Sequence, residues 1–361
     1  MSDVRLAGVT KSYGDDAALS AINLDCADGT LLVVFGPSGA GKSTLLKLVA
    51  GIEDPSEGRV WIGGRDVTAE PPQRRDIAMA FESYALYPHL TVWRNLEFPL
   101  RAPGRGLSAT VRAERIREVA ALLEITELLE RRPNQLSGGQ RQRVSLGRAL
   151  VRDANATLLD EPIAHLDARL RNALRGELKH YLRAHGATAL YATPDYVEAF
   201  GIADVVAILI AGRLHQVAPP EEIYAAPASL AVAELVGDPR MNVFAVEADG
   251  TLTIGDRRTP LPLADAAGRV GHVGFRPTQV GLRSDAHDGA VPGRIELIEP
   301  AGDHRIVRID AGGTPVTAKV AAEEVPLAVG DTLWALLDWS RAHYFDRAGQ
   351  RYAAADARGQ R

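Results

Sequence analysis

The chain has 361 residues, 46% of them apolar, a formal net charge of −5 and one cysteine. This length is sufficient for two domains or more, and the apolar content is typical of globular proteins. The small charge argues against nucleic acid as a general partner. The lone Cys26 excludes an internal disulfide framework and is typical of a reducing cytoplasm.

The first predicted element is a half-buried strand over residues 3–12, where apolar side chains alternate with polar ones. Tyr13 and Gly14 end it. Tyr13 stands where an aromatic seat for a nucleotide base could lie. On this feature alone, an ordinary surface tyrosine is the favoured interpretation.

Residues 36–44 form the motif around which the rest of the chain is organised. An apolar run, Leu31–Phe35, precedes the motif, and a helical run, Lys42–Ala50, follows it and ends at Gly51. A strand, a glycine-rich loop and a helix in this order indicate a P-loop rather than a chance turn. The loop consists of Gly36, Pro37, Ser38, Gly39, Ala40, Gly41, Lys42, Ser43 and Thr44.

Each part of this loop suits a nucleoside triphosphate. Its glycines allow backbone N–H groups to point at a polyanion, and the helix N-terminus adds a partial positive charge. Lys42 would reach the β and γ phosphates, and Ser43 would offer its hydroxyl to Mg²⁺. The motif therefore predicts a nucleotide and Mg²⁺ as ligands.

A short buried strand is predicted at residues 77–81, with Glu82 at its end. Strand ends near a nucleotide supply polar groups to metal or water, so Glu82 is a candidate metal ligand and catalytic group. A solvated loop carboxylate is the alternative. Residues 84–90 are aromatic and irregular, which is typical of a contact surface but also fits a segment that packs inside.

A helical pattern begins at Ser108, and Pro133 closes this small unit. The sequence Leu-Ser-Gly-Gly-Gln follows at residues 136–140. Ser137 is a natural N-cap, and the two glycines after it free the backbone of the next turn. This segment predicts a second helix N-terminus that can bind an anion.

Another apolar strand ends in two acids, Asp160 and Glu161. Asp160 would hold Mg²⁺ through water, and Glu161 would act as the general base on an attacking water. A strand that ends in two acids by chance is less favoured because a P-loop lies upstream. Asp167 is the predicted N-cap of a helix over residues 168–184.

A domain boundary is predicted after residue 236. Residues 1–236 would form an α/β nucleotide-binding domain, with a helical subdomain at about 90–150. Residues 237–361 contain short β-branched runs punctuated by Gly and Pro, which predict a small all-β barrel or sandwich.

The P-loop, the Leu-Ser-Gly-Gly-Gln segment and the Asp160–Glu161 pair, in this order, resemble an ABC-type ATPase over nearly the whole chain. The resemblance implies a P-loop cassette that packs head to tail with a second one. Each ATP would lie between the P-loop of one cassette and the signature motif of the other, with Tyr13 stacked on adenine. The signature residues offered to the partner's ATP would be Ser137, Gly138, Gly139 and Gln140.

The region beyond residue 237 resembles the OB-like regulatory domain of carbohydrate-importer ATPases. The matching pieces are residues 237–242, 274–277, 343–346 and Gly349. Residues 84–92 resemble the segment that these ATPases press against the coupling helix of a membrane subunit. The resemblance implies the ATP-binding subunit of an importer for a sugar, a polyol or glycerol phosphate. Polyamine, sulfate and molybdate importers carry related domains and stay open as alternatives.

The same resemblance implies the partners and the location. The partners would be a second ABC ATPase chain, two transmembrane permease subunits and an external solute-binding protein. The chain would lie peripherally at the cytoplasmic face of the inner or plasma membrane. A soluble ABC-fold ATPase acting on nucleic acid or ribosomes is less favoured because the chain has one cassette, no heptad run and no basic patch.

Two positions depart from the family pattern: Glu82 stands where the family has Gln, and Pro194 stands where it has a switch His. Proline has no side-chain donor for a γ-phosphate, whereas the signature motif is intact. We therefore hypothesise a heterodimer in which this chain's own site hydrolyses ATP slowly or not at all. A homodimer with low turnover and a non-hydrolysing regulatory subunit are the alternatives.

Overall fold

The computed structural model describes residues 2–102, 106–263, 267–287, 289–322 and 327–352. The chain forms two compact units, Met1–Pro220 and Glu221–Arg361. None of the helices in the described ranges combines the length and the apolar character that crossing a bilayer needs.

The first unit is an α/β structure in which strands and helices largely alternate along the chain. Its strands are β1 (Val4–Tyr13), β2 (Asp16–Cys26), β3 (Leu31–Phe35), β4 (Glu57–Ile62), β5 (Arg65–Asp66), β6 (Ile77–Ala80), β7 (Ala156–Asp160), β8 (Ala189–Thr193), β9 (Val205–Ile210) and β10 (Arg213–Ala218). Its helices are α1 (Lys42–Ala50), α2 (Val92–Glu97), α3 (Ala109–Leu122), α4 (Gly138–Leu150), α5 (Ala168–Ala184) and α6 (Tyr196–Ile202).

A six-stranded sheet within the described residues forms the centre of this unit, in the order β10-β9-β3-β8-β7-β6. All of its neighbours pair in parallel except β10 and β9, which are antiparallel. Every residue of β3, β7 and β8 is buried, as expected of parallel strands covered on both faces. The order places the carboxyl ends of β3, β8 and β7 side by side, so the loops after them meet at one edge.

An antiparallel sheet in the order β2-β1-β4-β5 accompanies the central one. Its inward side chains join those of β3 and α1 in a single apolar core, which contains Leu6, Ile22, Leu32, Leu45 and Leu190.

The helix boundaries follow local capping chemistry. Ser108 and Asp167 accept hydrogen bonds from backbone N–H groups in the first turns of α3 and α5. Gly51 ends α1 in the left-handed conformation, at φ 73°. These three predicted helix ends are confirmed.

The second unit consists of two short helices followed by strands. The helices are α7 (Pro220–Ala225), which starts at the division between the units, and α8 (Leu230–Leu235). The strands are β11 (Asn242–Ala245), β12 (Thr251–Ile254), β13 (Arg257–Pro260), β14 (Val270–Phe275), β15 (Val280–Arg283), β16 (Val291–Ala301), β17 (His304–Ala311), β18 (Thr314–Ala321), β19 (Thr332–Leu337) and β20 (His343–Asp346).

The strands of this unit form sheets in the orders β15-β19-β16-β17-β18, β11-β14-β20 and β12-β13. All of these pairings are antiparallel. The short predicted runs after residue 243 are strands, and a shared core that includes Phe275, Ile309 and Leu333 joins them. The predicted fold class, an α/β cassette followed by an all-β domain, is confirmed.

The two units divide earlier than the predicted boundary at 236/237, because α7 and α8 pack with the strands that follow them. The buried guanidinium of Arg276 donates to the carbonyls of Tyr224, Ala233 and Val236. The amide of Leu230 donates to the carbonyl of Gly349 at 2.7 Å. The predicted boundary at 236/237 between the nucleotide-binding domain and the all-β domain stays a prediction.

Candidate nucleotide-binding site

The loop after β3 has the close backbone approach that a phosphate cradle needs. A Cβ atom added at Gly36 would lie 2.0 Å from the carbonyl oxygen of Leu209, so no larger residue fits there. Gly41 is the N-cap of α1, at φ 101°, and no side chain caps the helix. The N–H groups of the first turn are therefore left for a ligand, which is the arrangement expected for bound phosphate.

The side chain of Lys42 is buried, with 4% of its surface exposed, and it lies along this loop. Its ammonium group donates to the carbonyls of Gly36 and Pro37, at 3.0 and 3.1 Å. Its Nζ atom lies 3.9 Å from Oε1 of Glu161. Burial lowers the pKa of Lys42, and the charges of Glu161, Asp160 and Glu82 oppose that effect. Lys42 is thus the positive charge on which the carboxylates of Glu161, Asp160 and Glu82 act.

Ser43 and Asp160 come together from elements far apart in the chain. The Ser43 hydroxyl donates to Oδ1 of Asp160 at 2.9 Å, and Asp160 is buried at the end of β7. Burial raises the pKa of Asp160, the hydrogen bond from Ser43 opposes this, and the charge of Glu82 adds to it. A hydroxyl beside a buried carboxylate is an oxygen donor set that fits Mg²⁺, which takes one or two protein groups and completes its shell with phosphate and water.

Glu161 follows Asp160 in a strained backbone conformation, at φ 47°. Its amide donates to the carbonyl of Ala192 at 3.0 Å, and its carbonyl accepts from Nε2 of Gln142 at 2.9 Å. Burial raises the pKa of the Glu161 carboxyl, Lys42 opposes this, and Glu82 and Asp160 add to it. A carboxylate with a raised pKa is a better proton acceptor, as a general base requires.

The predicted signature motif forms an exposed helix N-terminus. Ser137 and Gln140 make a capping box: the Ser137 amide donates to Oε1 of Gln140 at 2.9 Å, and the Gln140 amide donates to Oγ of Ser137 at 3.3 Å. Ser137 is exposed, and the space around a Cβ added at Gly138 is open. The motif therefore faces outward, where a second chain could reach it.

Gln142, which the sequence did not single out, connects this helix to the loop after β7. It is 3% exposed, and besides its bond to the Glu161 carbonyl it accepts a hydrogen bond from the amide of His165 at 3.1 Å. Its position two residues after the Leu-Ser-Gly-Gly-Gln segment is the sequence signal that could have identified it.

The remaining predicted site residues lie at the surface. Glu82 is exposed in the turn after β6 and acts on Lys42, Asp160 and Glu161 through its charge. Tyr13 is 47% exposed at the end of β1, with the Lys11 ammonium 4.9 Å from its ring centroid. The exposed ring could stack with a base, and its role stays a prediction.

Pro194 follows β8 and is exposed. Four residues further along the chain, Glu198 in α6 is a buried carboxyl that the sequence did not indicate. The hydroxyls of Tyr191 and Thr193 both donate to this carboxyl, the second at 3.2 Å. Burial raises the pKa of Glu198 to about 7. Nothing in the sequence signals this burial, because a single glutamate in a short helix can equally face solvent.

Tyr87 of the predicted aromatic contact loop lines a groove of about 580 Å³ beside the edge strand β6. Arg148 of α4 lies over the ring of Tyr87, 4.7 Å from its centroid, and donates to the carbonyl of Ala85. The groove thus combines apolar side chains with basic ones. Its lining residues are Ile77, Ala78, Met79, Tyr87, Phe98, Pro99, Arg101, Ala102, Arg148 and Arg152.

Comparison with known families finds two matches along the chain. The ABC transporter family matches residues 19–164, which include the P-loop, the signature segment and Glu161. The TOBE domain matches residues 286–344, within the all-β unit.

Full-length relatives extend this match. The sn-glycerol-3-phosphate import ATP-binding protein UgpC of Escherichia coli (strain K12) is 42% identical over 359 residues, with 97% of this chain and 100% of the relative covered. The trehalose/maltose import ATP-binding protein MalK of Thermococcus litoralis is 40% identical, with 96% of this chain and 98% of the relative covered.

Solved structures resemble the first part of the chain. A dimeric structure of a bacterial ABC transporter cassette, MJ0796, superposes with a TM-score of 0.56 at 31% identity, over 60% of this chain and 98% of that one. The same cassette in a dimeric post-hydrolysis state with ADP and Pi gives the same TM-score at 32% identity. The chain therefore belongs to the ABC transporter family, as an ABC-type transport ATPase that binds ATP.

Proposed function

We propose that this chain is the ATP-binding subunit of an importer for sugars, polyols or glycerol phosphate. The observation that carries the proposal is the match, over nearly the full length of both chains, to import ATP-binding proteins for glycerol-3-phosphate and for trehalose and maltose. The TOBE match in the all-β unit supports the same class, because it extends the likeness beyond the cassette.

In this proposal the P-loop holds ATP and positions its terminal phosphates. The uncapped N-terminus of α1 and the ammonium of Lys42 neutralise phosphate charge. Ser43 and Asp160 would hold Mg²⁺, which supplies further charge neutralisation when bound. Glu161 accepts the proton of the attacking water, since burial and the neighbouring acids favour its protonated form.

The exposed N-terminus of α4 provides the second half of a site for another chain. Ser137, Gly138, Gly139 and Gln140 would bind the phosphates of ATP held in a partner's P-loop. The dimeric structures of a related cassette support assembly as a dimer. The proposed dimer therefore contains two composite sites.

The groove beside β6 would receive a helix of a membrane permease subunit. Its lining combines apolar side chains with Arg101 and Arg148, whose charge favours an acidic residue on the incoming helix, while Arg152 is paired with Asp76. Two permease subunits and an external solute-binding protein complete the proposed assembly, with this chain peripheral at the cytoplasmic face of the membrane.

The composition of this chain's own site favours slow hydrolysis. Pro194 offers no hydrogen-bond donor after β8, and Glu82 adds a negative charge close to Asp160 and Glu161. The loss of one transition-state donor costs about 10²-fold in rate. A heterodimer with a more active cassette stays a prediction, and a slowly turning homodimer is the second candidate.

One experiment tests the assignment and the assembly together. The tagged full chain is expressed with its native neighbouring genes, and the purified complex is assayed for ATP hydrolysis and for its protein composition. We expect permease subunits to copurify, and Lys42→Ala to abolish ATP binding. Recovery without any membrane protein would contradict the importer assignment. A fast-hydrolysing homodimer of this chain alone would contradict the heterodimer.

A further inference from the structure

Two loops that carry candidate carboxylates are joined by one side-chain contact. Tyr84 follows Glu82 in the first loop, and His165 follows Glu161 in the second. The Tyr84 hydroxyl lies 3.2 Å from Nδ1 of His165, within hydrogen-bond distance. The two rings also meet edge to face, with centroids 6.1 Å apart and planes at 90°. This geometry is a specific polar contact between side chains far apart in the sequence.

Both loops have strained backbones at these positions. Tyr84 and Ala85 have φ values of 65° and 43°, and Glu161 has a φ of 47°. Residues other than glycine rarely adopt this left-handed conformation, because it is strained. Strain of this kind persists only where surrounding contacts hold the backbone. The contacts around each loop therefore determine where its carboxylate lies.

Each loop is anchored separately to α4. Arg148 donates to the carbonyl of Ala85 in the first loop. Gln142 bonds to the carbonyl of Glu161 and the amide of His165 in the second. The contact between Tyr84 and His165 crosses directly from one anchored loop to the other, so it constrains their relative position in addition to the shared anchor on α4.

We propose that Tyr84 and His165 are a pair of positioning residues that hold the Glu82 loop against the Glu161 loop during ATP hydrolysis. The proposal rests on the proposed catalytic roles of Glu82 and Glu161. The charge of Glu82 acts on both Asp160 and Glu161, and a Coulomb interaction changes with distance. A looser Glu82 loop would therefore alter the environment of the base.

The pair should affect the chemical step more than ATP binding. The phosphate-binding groups of the P-loop, including the Lys42 ammonium, make their contacts independently of both side chains. We expect loss of the contact to lower kcat roughly three- to tenfold, which is the factor that corresponds to the net free energy of a typical hydrogen bond. The KM for ATP should stay within about twofold, since the variants leave the phosphate-binding groups intact and alter only the groups that act in the chemical step.

The test uses the full chain in its purified complex, with hydrolysis by any different second cassette abolished so that kcat reports this chain's own site, and compares Tyr84→Phe, His165→Phe and the double variant. We expect each single variant to lower kcat roughly three- to tenfold, and the double variant to lower it no further than the worse single one. His165→Asn should restore much of the rate because its amide places a polar atom near the position of Nδ1. His180→Phe, an exposed histidine of α5, is the matched control and should leave kcat unchanged.

Multiplicative losses in the double variant, a change in KM rather than kcat, or unchanged rates in all variants would overturn the proposal. Hydrogen exchange gives a second readout that does not depend on activity. Tyr84→Phe should increase exchange at residues 164–167, and His165→Phe should increase it at residues 83–87. If the wild-type chain binds ATP without hydrolysing it, the proposed catalytic roles of Glu82 and Glu161 are refuted. Hydrogen exchange then still tests the Tyr84–His165 pair, because unchanged exchange in both variants would refute the proposal that the pair joins the two loops.

Discussion

The buried carboxyl of Glu198 should make the stability of the first unit depend on pH near neutrality. Glu198 is 2% exposed, and Tyr191 and Thr193 donate hydrogen bonds to its carboxyl. Burial raises its pKa from 4.5 to about 7, Arg171 and Arg175 of α5 oppose this, and the charge of Glu161 adds to it. Between about pH 4.5 and 7, the carboxyl therefore holds a proton in the folded chain that the unfolded chain has already released.

The sign and size of the effect follow from these two pKa values. Because the folded state binds the extra proton, the free energy of unfolding falls as pH rises from about 4.5 to about 7 and stays low above that range. The difference between about 7 and 4.5, at about 1.36 kcal/mol per pKa unit, gives about 3 kcal/mol. Glu198→Gln keeps the shape of the protonated acid but cannot ionise, so the variant lacks this loss.

Denaturant unfolding of both chains at pH 5, 6, 7 and 8 measures the effect. We expect the free energy of unfolding of Glu198→Gln to increase relative to that of the wild type as pH rises, by up to about 3 kcal/mol at pH 8. A constant offset from the substitution does not affect this trend. Glu177→Gln, at an exposed position on α5, is the matched control and should show a flat difference. A flat difference for Glu198→Gln, or one that shrinks with pH, would refute the reasoning.

Three further predictions concern the site and the core. Gly36→Ala should abolish nucleotide binding, as measured by ATP titration, because its Cβ would lie 2.0 Å from a backbone carbonyl; Gly176→Ala, in open space on α5, should bind normally. Glu82→Gln with Pro194→His should raise ATP turnover by ~10²-fold, and no gain would show that these positions do not limit the site. Arg75→Leu should cost about 3–5 kcal/mol of unfolding free energy, since the buried guanidinium donates to four backbone carbonyls. Arg75→Lys should restore only part of that loss.

Local chemistry made several features predictable from the sequence. The P-loop depends on glycines and a helix start within one short stretch, and the caps at Ser108 and Asp167 depend on side chains three residues from the amides they bind. The apolar strand β3 could be predicted to be buried because parallel strands are covered on both faces. The order of motifs along the chain then identified the family.

The tertiary structure alone decided which distant residues meet. Ser43 reaches Asp160 because the sheet order places β3, β8 and β7 side by side, although helices separate them in the sequence. Glu198 has a raised pKa because α6 buries it against β8, and burial cannot be read from a single glutamate in a short helix. Tyr84 meets His165 only because two loops from different strands fold together. The sequence thus determined the residues that bind phosphate, and the fold determined the contacts and the burial that set the positions and pKa values of the acids around them.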